Sequence, residues 1–106
     1  MIKMMVASAI LAAAFQSSAA DNARSALRTC IKTAATDAKS QKIAVDAFPA
    51  FVRDKCSAQA TSFKSAVWAF DSKNKVSRKQ SESDADLQID DFVTAAEERY
   101  EMETAP

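Results

Sequence analysis

The longest helical periodicity in the sequence belongs to FPAFVRDKCSAQATSFKSAVWAF, residues 48–70. Its apolar residues recur at steps of three and four, which places them in one stripe along a helix. The stripe consists of Phe48, Val52, Cys56, Ala60, Phe63, Val67 and Phe70. This spacing predicts a helix over about residues 47–71, which Asp46 can cap and in whose first turn Pro49 is tolerated.

Two further amphipathic helices flank this stretch. The first is predicted over about residues 22–39, and the third over about residues 77–102, where Ser77 and Gln80 fit a capping box. The connections are short and polar, and no strand pattern occurs in the sequence. The predicted fold class is therefore all-α, a small antiparallel three-helix bundle.

Residues 1–20 have the layout of a secretory signal peptide. Lys3 gives a short basic start, an apolar run continues to Phe15, and small residues lead to a cleavage site before Asp21. The alternative is a retained anchor, but the apolar run is shorter than the roughly 20 residues that a membrane span needs. We therefore expect an exported, periplasmic or secreted bacterial protein whose domain is residues 21–106, with no transmembrane span after cleavage.

Cys30 and Cys56 are the only two cysteines. An even pair in an exported chain indicates a disulfide. In two antiparallel helices the two positions lie level, each about ten residues from the intervening turn, so the bond should bridge the helices. A redox-active pair is the alternative, but such pairs usually lie close in sequence at a helix start.

Two residue types are absent from the sequence, glycine and histidine. Without glycine the chain lacks phosphate-binding Gly-rich loops, dinucleotide fingerprints and EF-hand loops, and Asn74 is the best candidate for a left-handed helix end. Without histidine it lacks the usual general base, the usual catalytic triads and the His-containing zinc sites. We predict no enzyme activity and no cofactor.

Charge is distributed unevenly along a chain whose net charge is zero. Residues 21–80 carry twelve Lys or Arg and five acids, whereas residues 81–106 carry Arg99 and nine acids. This balance does not indicate a nucleic-acid partner. The acids of the third helix offer only two oxygens at a time to a cation, for example Asp86 with Asp90, so we expect a solvated acidic face and no metal site.

The first helix carries a basic face with two possible roles. It can pair with the acidic third helix inside the bundle, or it can bind an anionic partner such as membrane lipid or lipopolysaccharide. Its apolar face is mostly alanine, which is weak for membrane insertion and favours the first role. The candidate anion-binding residues are Arg24, Arg28, Lys32 and Lys39.

Trp68 lies off the apolar stripe of the middle helix, on the side of Lys64 and Asp71. It can fill a second seam of the bundle, since the middle helix has two neighbours. It can instead be an exposed anchor for a protein partner, because Trp is enriched in binding hot spots. Trp68, Lys64 and Asp71 are therefore candidate partner-binding residues.

The same order of features resembles small secreted helical proteins of alphaproteobacteria. These have a signal peptide, one cysteine in each of the first two helices, a segment like residues 69–74 followed by Ser77 and Arg78, and an acidic helix ending near Tyr100. The resemblance implies a periplasmic location and no particular activity. We expect a non-enzymatic interaction module that binds another envelope protein, or alternatively a peripheral binder of anionic lipid or lipopolysaccharide.

Overall fold

The computed structural model describes residues 2–106, with side chains from residue 18 onward. Its helices are α1 (Ile2–Ser40), α2 (Phe48–Lys55), α3 (Ser57–Lys73) and α4 (Arg78–Thr104), and a 3₁₀ turn at Val45–Ala47 precedes α2. No strand occurs in this part of the chain, so the all-α class is confirmed. The predicted signal peptide, residues 1–20, lies outside the residues described with side chains except for its last three, and it stays a prediction.

Helix α1 buries an apolar face and leaves most of its basic face exposed. The buried residues from Leu27 onward are Leu27, Ile31, Ala34 and Ala38. The helix does not begin at Asn22, because its backbone is continuous with the preceding alanine-rich residues, and alanine is the strongest helix former. Asp21 consequently lies inside the helix, where its carboxylate pairs with Arg24 at 2.7 Å.

The predicted middle helix is divided in two at Cys56, so the structure has four helices instead of three. Cys56 has φ −109° and ψ 18°, outside the helical region, and it ends α2 and caps α3. Neither proline nor glycine marks this position, so periodicity alone predicts a continuous helix. Cys56 is also the residue that forms the disulfide with Cys30. The spacing of apolar residues carries no information about such a tertiary constraint.

Lysines occupy the left-handed positions where helices more often have glycine. Lys42 follows α1 with φ 56°, and Lys75 follows α3 with φ 61°. Beyond α1, the Ile43 N–H donates to the Ala38 carbonyl at 3.0 Å, and beyond α3 the Val76 N–H donates to the Asp71 carbonyl at 3.1 Å. These are Schellman-type helix ends. The prediction that Asn74 takes the left-handed conformation is wrong by one residue.

Asn74 instead closes α3 through its side chain, whose Nδ2 donates to the Phe70 carbonyl at 2.9 Å. At the start of α4, Ser77 is the N-cap as predicted, and its Oγ accepts from the Gln80 N–H at 3.1 Å. The reciprocal half of the capping box is not formed, since the Gln80 side chain donates to Asp84 at 2.8 Å.

Contacts between helices fix their relative directions. Arg24 contacts Gln88 and Lys39 pairs with Glu103, and in both cases the partner on α4 lies 64 residues later. This constant offset means that α1 and α4 run in the same direction. Lys64 of α3 pairs with Asp86 at 2.9 Å, and Arg53 of α2 pairs with Asp90 at 2.6 Å. Here the partner's number falls as the residue number rises, so α2 and α3 run opposite to α4.

Cys30 and Cys56 form the predicted disulfide, with their Cα atoms 5.8 Å apart. The core lies beside it, where Phe48, Val52 and Phe63 are fully buried. Tyr100 of α4 stacks on Phe48 with ring centroids 4.3 Å apart. Its hydroxyl lies 2.5 Å from the Ile43 carbonyl and 3.3 Å from the Ala38 carbonyl, so one side chain joins α4 to the end of α1 and the following loop.

Reduction should strongly destabilise the domain. The disulfide joins residues 26 positions apart, and a loop of that length corresponds to roughly 3.5 kcal/mol in the chain-entropy model. We expect the free energy of unfolding, measured by guanidinium titration, to fall by that amount when reductant is added. A Cys30→Ala/Cys56→Ala variant is the control and should not respond to reductant. An unchanged midpoint for the reduced parent chain would contradict the role of the bond.

Glycine at the left-handed positions should stabilise the chain. We expect Lys42→Gly and Lys75→Gly each to raise the free energy of unfolding by about 1 kcal/mol, because glycine adopts positive φ without a Cβ clash. Thermal denaturation followed by circular dichroism measures this. The matched control is Lys73→Gly inside the last turn of α3, where glycine should instead destabilise by roughly 0.5–1 kcal/mol.

Candidate functional site

Three cations line the seam between α1 and α4. Arg28 and Lys32 lie one turn apart on α1, Arg99 lies on α4, and all three line one groove. Each of these residues is exposed. Among the residues described with side chains, none of the three has a carboxylate within 4 Å. Their charges are therefore available to an outside anion.

The floor of this groove is apolar. Ile31 and Tyr100 are buried, and Ala35, Phe92 and Ala96 are partly buried against the core. We call this feature, with its three cations, the α1/α4 groove. It has a volume of about 330 Å³, within the roughly 300–1,000 Å³ typical of small-molecule sites. The alanines leave this space open, since a larger side chain at either position would fill it.

Contacts at the rim position the cations. The guanidinium carbon of Arg28 lies 5.6 Å from the centroid of the Phe92 ring, a cation–π geometry that holds the charge at the edge of the apolar floor. At the far end, the Lys39–Glu103 ion pair spans the two helices. On the other side, Arg28, Lys32 and Arg99 also border a more polar groove of about 420 Å³ that contains Arg24 and Thr29.

The four candidate anion-binding residues thus divide into two pairs. Arg24 pairs with Asp21 and donates to Gln88 at 3.1 Å, and Lys39 pairs with Glu103. Lys39 follows the internal alternative, in which the basic first helix pairs with the acidic third predicted helix, whereas the acidic partner of Arg24 lies on α1 itself. Arg28 and Lys32 have no acidic partner in the described part of the chain, so the internal alternative does not account for them.

Arg99 and Phe92 were not identified as site residues from the sequence. Both belong to the groove because α1 and α4 run parallel with a constant offset, which brings Phe92 level with Arg28. One signal was present, since Arg99 is the only cation among the acids of residues 81–106. Its placement opposite α1 depends on helix packing, which apolar periodicity does not specify.

Trp68 and its two neighbours lie where α3 meets α4. Trp68 is half-buried, and the guanidinium carbon of Arg78 lies 5.4 Å from its ring centroid. Lys64 pairs with Asp86. The backbone carbonyl of Asp71 accepts the N–H groups of Asn74 and Val76 at the end of α3. These contacts favour the packing role for Trp68, although part of its side chain remains accessible.

Acidic residues of α4 are occupied mainly in ion pairs and hydrogen bonds with cations and amides. Asp86 and Asp90, which share one face, pair with Lys64 and Arg53. In the searched part of the chain, no group of three or more His, Cys, Asp or Glu side chains could hold a metal ion.

A search of the described helices for a stretch long and apolar enough to cross a membrane finds none. Comparison of the chain with protein-family models, with curated proteins and with solved structures finds no match. The site must therefore be interpreted from its own geometry.

Arg78 should shield Trp68 from solvent. Trp68 is the only tryptophan, so its fluorescence can be followed without background. We expect Arg78→Ala to increase quenching by acrylamide and to cost about 0.5–1 kcal/mol of stability, the usual size of an exposed cation–π contact. The control Lys79→Ala removes one positive charge at the next position and should change neither the acrylamide quenching nor the stability. Strong quenching already present in the parent chain would show that Trp68 is exposed, as an anchor for a partner requires.

Proposed function

We propose that this chain is a non-enzymatic binding protein of the bacterial cell envelope and that it binds anionic lipid through the α1/α4 groove. One observation carries the proposal, namely that Arg28, Lys32 and Arg99 surround an apolar floor without carboxylate partners among the described residues. Carboxylate and phosphate groups form strong charge-assisted hydrogen bonds with such cations.

Export is part of this proposal. The layout of residues 1–20 supports a cleaved signal peptide, and the disulfide supports an oxidising compartment such as the periplasm. After cleavage before Asp21, α1 would be shortened to about residues 21–40. We propose that the mature domain is a three-helix bundle in which α2 and α3 form one bent arm. The alternating directions of α1, of this arm and of α4 support that arrangement.

A binding role fits the chemistry of the chain better than catalysis does. The sequence has no histidine for proton transfer near neutral pH. Carboxylates are plentiful on α4, but Asp86 and Asp90 are engaged in ion pairs and lie apart from the groove. Inside the groove the charged groups are cations and the ion-paired Glu103, a set suited to hold an anion.

The test is binding to lipid vesicles, using the protein recovered from cells that export it. Its intact mass is measured first and should lack residues 1–20. We expect flotation with vesicles of phosphatidylglycerol and phosphatidylcholine but not with phosphatidylcholine alone. Neutralising the cluster by Arg28→Gln/Lys32→Gln/Arg99→Gln should weaken partitioning by roughly 100-fold, because each cation near an anionic surface contributes about 1 kcal/mol.

A second group of three exposed cations, all of them lysines, provides a matched control for the triple variant. Lys73, Lys75 and Lys79 lie around the turn between α3 and α4, about 30 Å from Arg99 along α4 at 1.5 Å of rise per residue. Changing all three to Gln alters the net charge equally and should leave most of the binding intact. Equal losses in the two variants, or binding without anionic lipid, would overturn the assignment of the groove.

The second candidate function is binding to another envelope protein. It is favoured by Trp68, the single tryptophan, which is only half-buried beside the exposed Arg78. An aromatic side chain at such a position can act as a hot spot. Strong acrylamide quenching of Trp68 together with loss of a captured periplasmic partner in Trp68→Ala would support this function.

A further inference from the structure

We infer that the α1/α4 groove accommodates a single acyl chain whose anionic head lies among Arg28, Lys32 and Arg99. The ligand class is a monoacyl anion, with a carboxylate or phosphate head. This inference rests on the proposed function and specifies the ligand of the same site. It distinguishes the uptake of one amphiphile into a groove from electrostatic attachment to a bilayer surface.

The apolar surface near the cations faces into the groove. A helix that lies on a bilayer needs large apolar side chains that project outward. Among the residues described with side chains, the exposed large hydrophobic residues are Leu87 and Met102, at 59% and 80% exposure, and neither lines the groove. The residues described with side chains therefore offer little to insert into a membrane, and an apolar contact with them requires that the ligand bring its chain to the floor of the groove.

The length of the groove is comparable to that of an extended acyl chain. It follows α1 from Arg28 to Lys39, about 16 Å at 1.5 Å of rise per residue. The Lys39–Glu103 ion pair crosses from α1 to α4 at one end. The three free cations border both the apolar floor and the adjacent polar groove. An anionic head at this border would remain hydrated on one side while its chain covers Ile31, Phe92 and Tyr100.

The experiment measures the affinity of the exported, disulfide-bonded protein for monomeric octanoate, decanoate and dodecanoate by calorimetry, below their micellar concentrations. We expect affinity to rise by a factor of about four for each buried methylene. Dodecyl phosphate should bind comparably to dodecanoate, whereas dodecyltrimethylammonium should bind at least tenfold more weakly because its head is repelled. The relative strength of carboxylate and phosphate then identifies the preferred head.

The second part of the experiment uses variants whose larger side chains fill the groove. Ala95 lines the groove and is exposed, so Ala95→Phe should fold normally while it occludes the space and lowers dodecanoate affinity at least tenfold. Ala35→Leu should act in the same direction from α1. The control is Ala58→Phe on an exposed face of α3, which should have no effect. Circular dichroism melting verifies that each variant is folded.

The outcomes separate this inference from the proposed function. Affinity that is independent of chain length, or unaffected by Ala95→Phe and Ala35→Leu, would overturn the acyl-chain site, and retained flotation with anionic vesicles would then leave the proposed function standing. Equal binding of the cationic amphiphile would overturn the head assignment. If the parent protein bound neither the monomeric amphiphiles nor the anionic vesicles, both the inference and the proposed function would be overturned.

Discussion

The bond between Cys30 and Cys56 is the constraint on which the rest of this structure depends. It fixes the middle of α1 against the junction of α2 and α3, with Cα atoms 5.8 Å apart. A chain of this length buries a small core whose net stability is only a few kcal/mol, so a covalent link of roughly 3.5 kcal/mol is decisive. The bond also coincides with the residue at which the predicted middle helix is interrupted.

The charges of α4 complement those of the other helices. The earlier helices are basic and α4 is acidic, and three ion pairs join them: Lys39–Glu103, Arg53–Asp90 and Lys64–Asp86. Exposed pairs of this kind add little stability each, but like charges in the same places would oppose packing. Where α4 has Arg99 instead of an acid, the pairing fails. That local exception leaves Arg28, Lys32 and Arg99 along the α1/α4 groove.

Much of the fold was predictable because it follows from local rules. Helical periodicity predicted the helices and the apolar stripe of residues 48–70, most of which is buried, and a pair of cysteines at equal distance from the turn indicated the disulfide. The break at Cys56 was not predictable, since neither proline nor glycine marks it and the apolar periodicity continues through it. The left-handed residue was expected at Asn74 but is Lys75, while the Asn74 side chain donates to the Phe70 carbonyl.

The sequence by itself determined the helical class, the buried stripes, the disulfide and the two charged halves, since each depends on residue type and spacing along one chain. It also identified Arg28 and Lys32 as candidates. Only the tertiary structure decided that, among the residues described with side chains, Arg28 and Lys32 have no acidic partner while Arg24 and Lys39 do. It also decided that Arg99 and Phe92 line the same groove. The reason is physical: a groove between parallel helices depends on their offset, and the offset results from packing, the disulfide and the contacts of Tyr100 acting together.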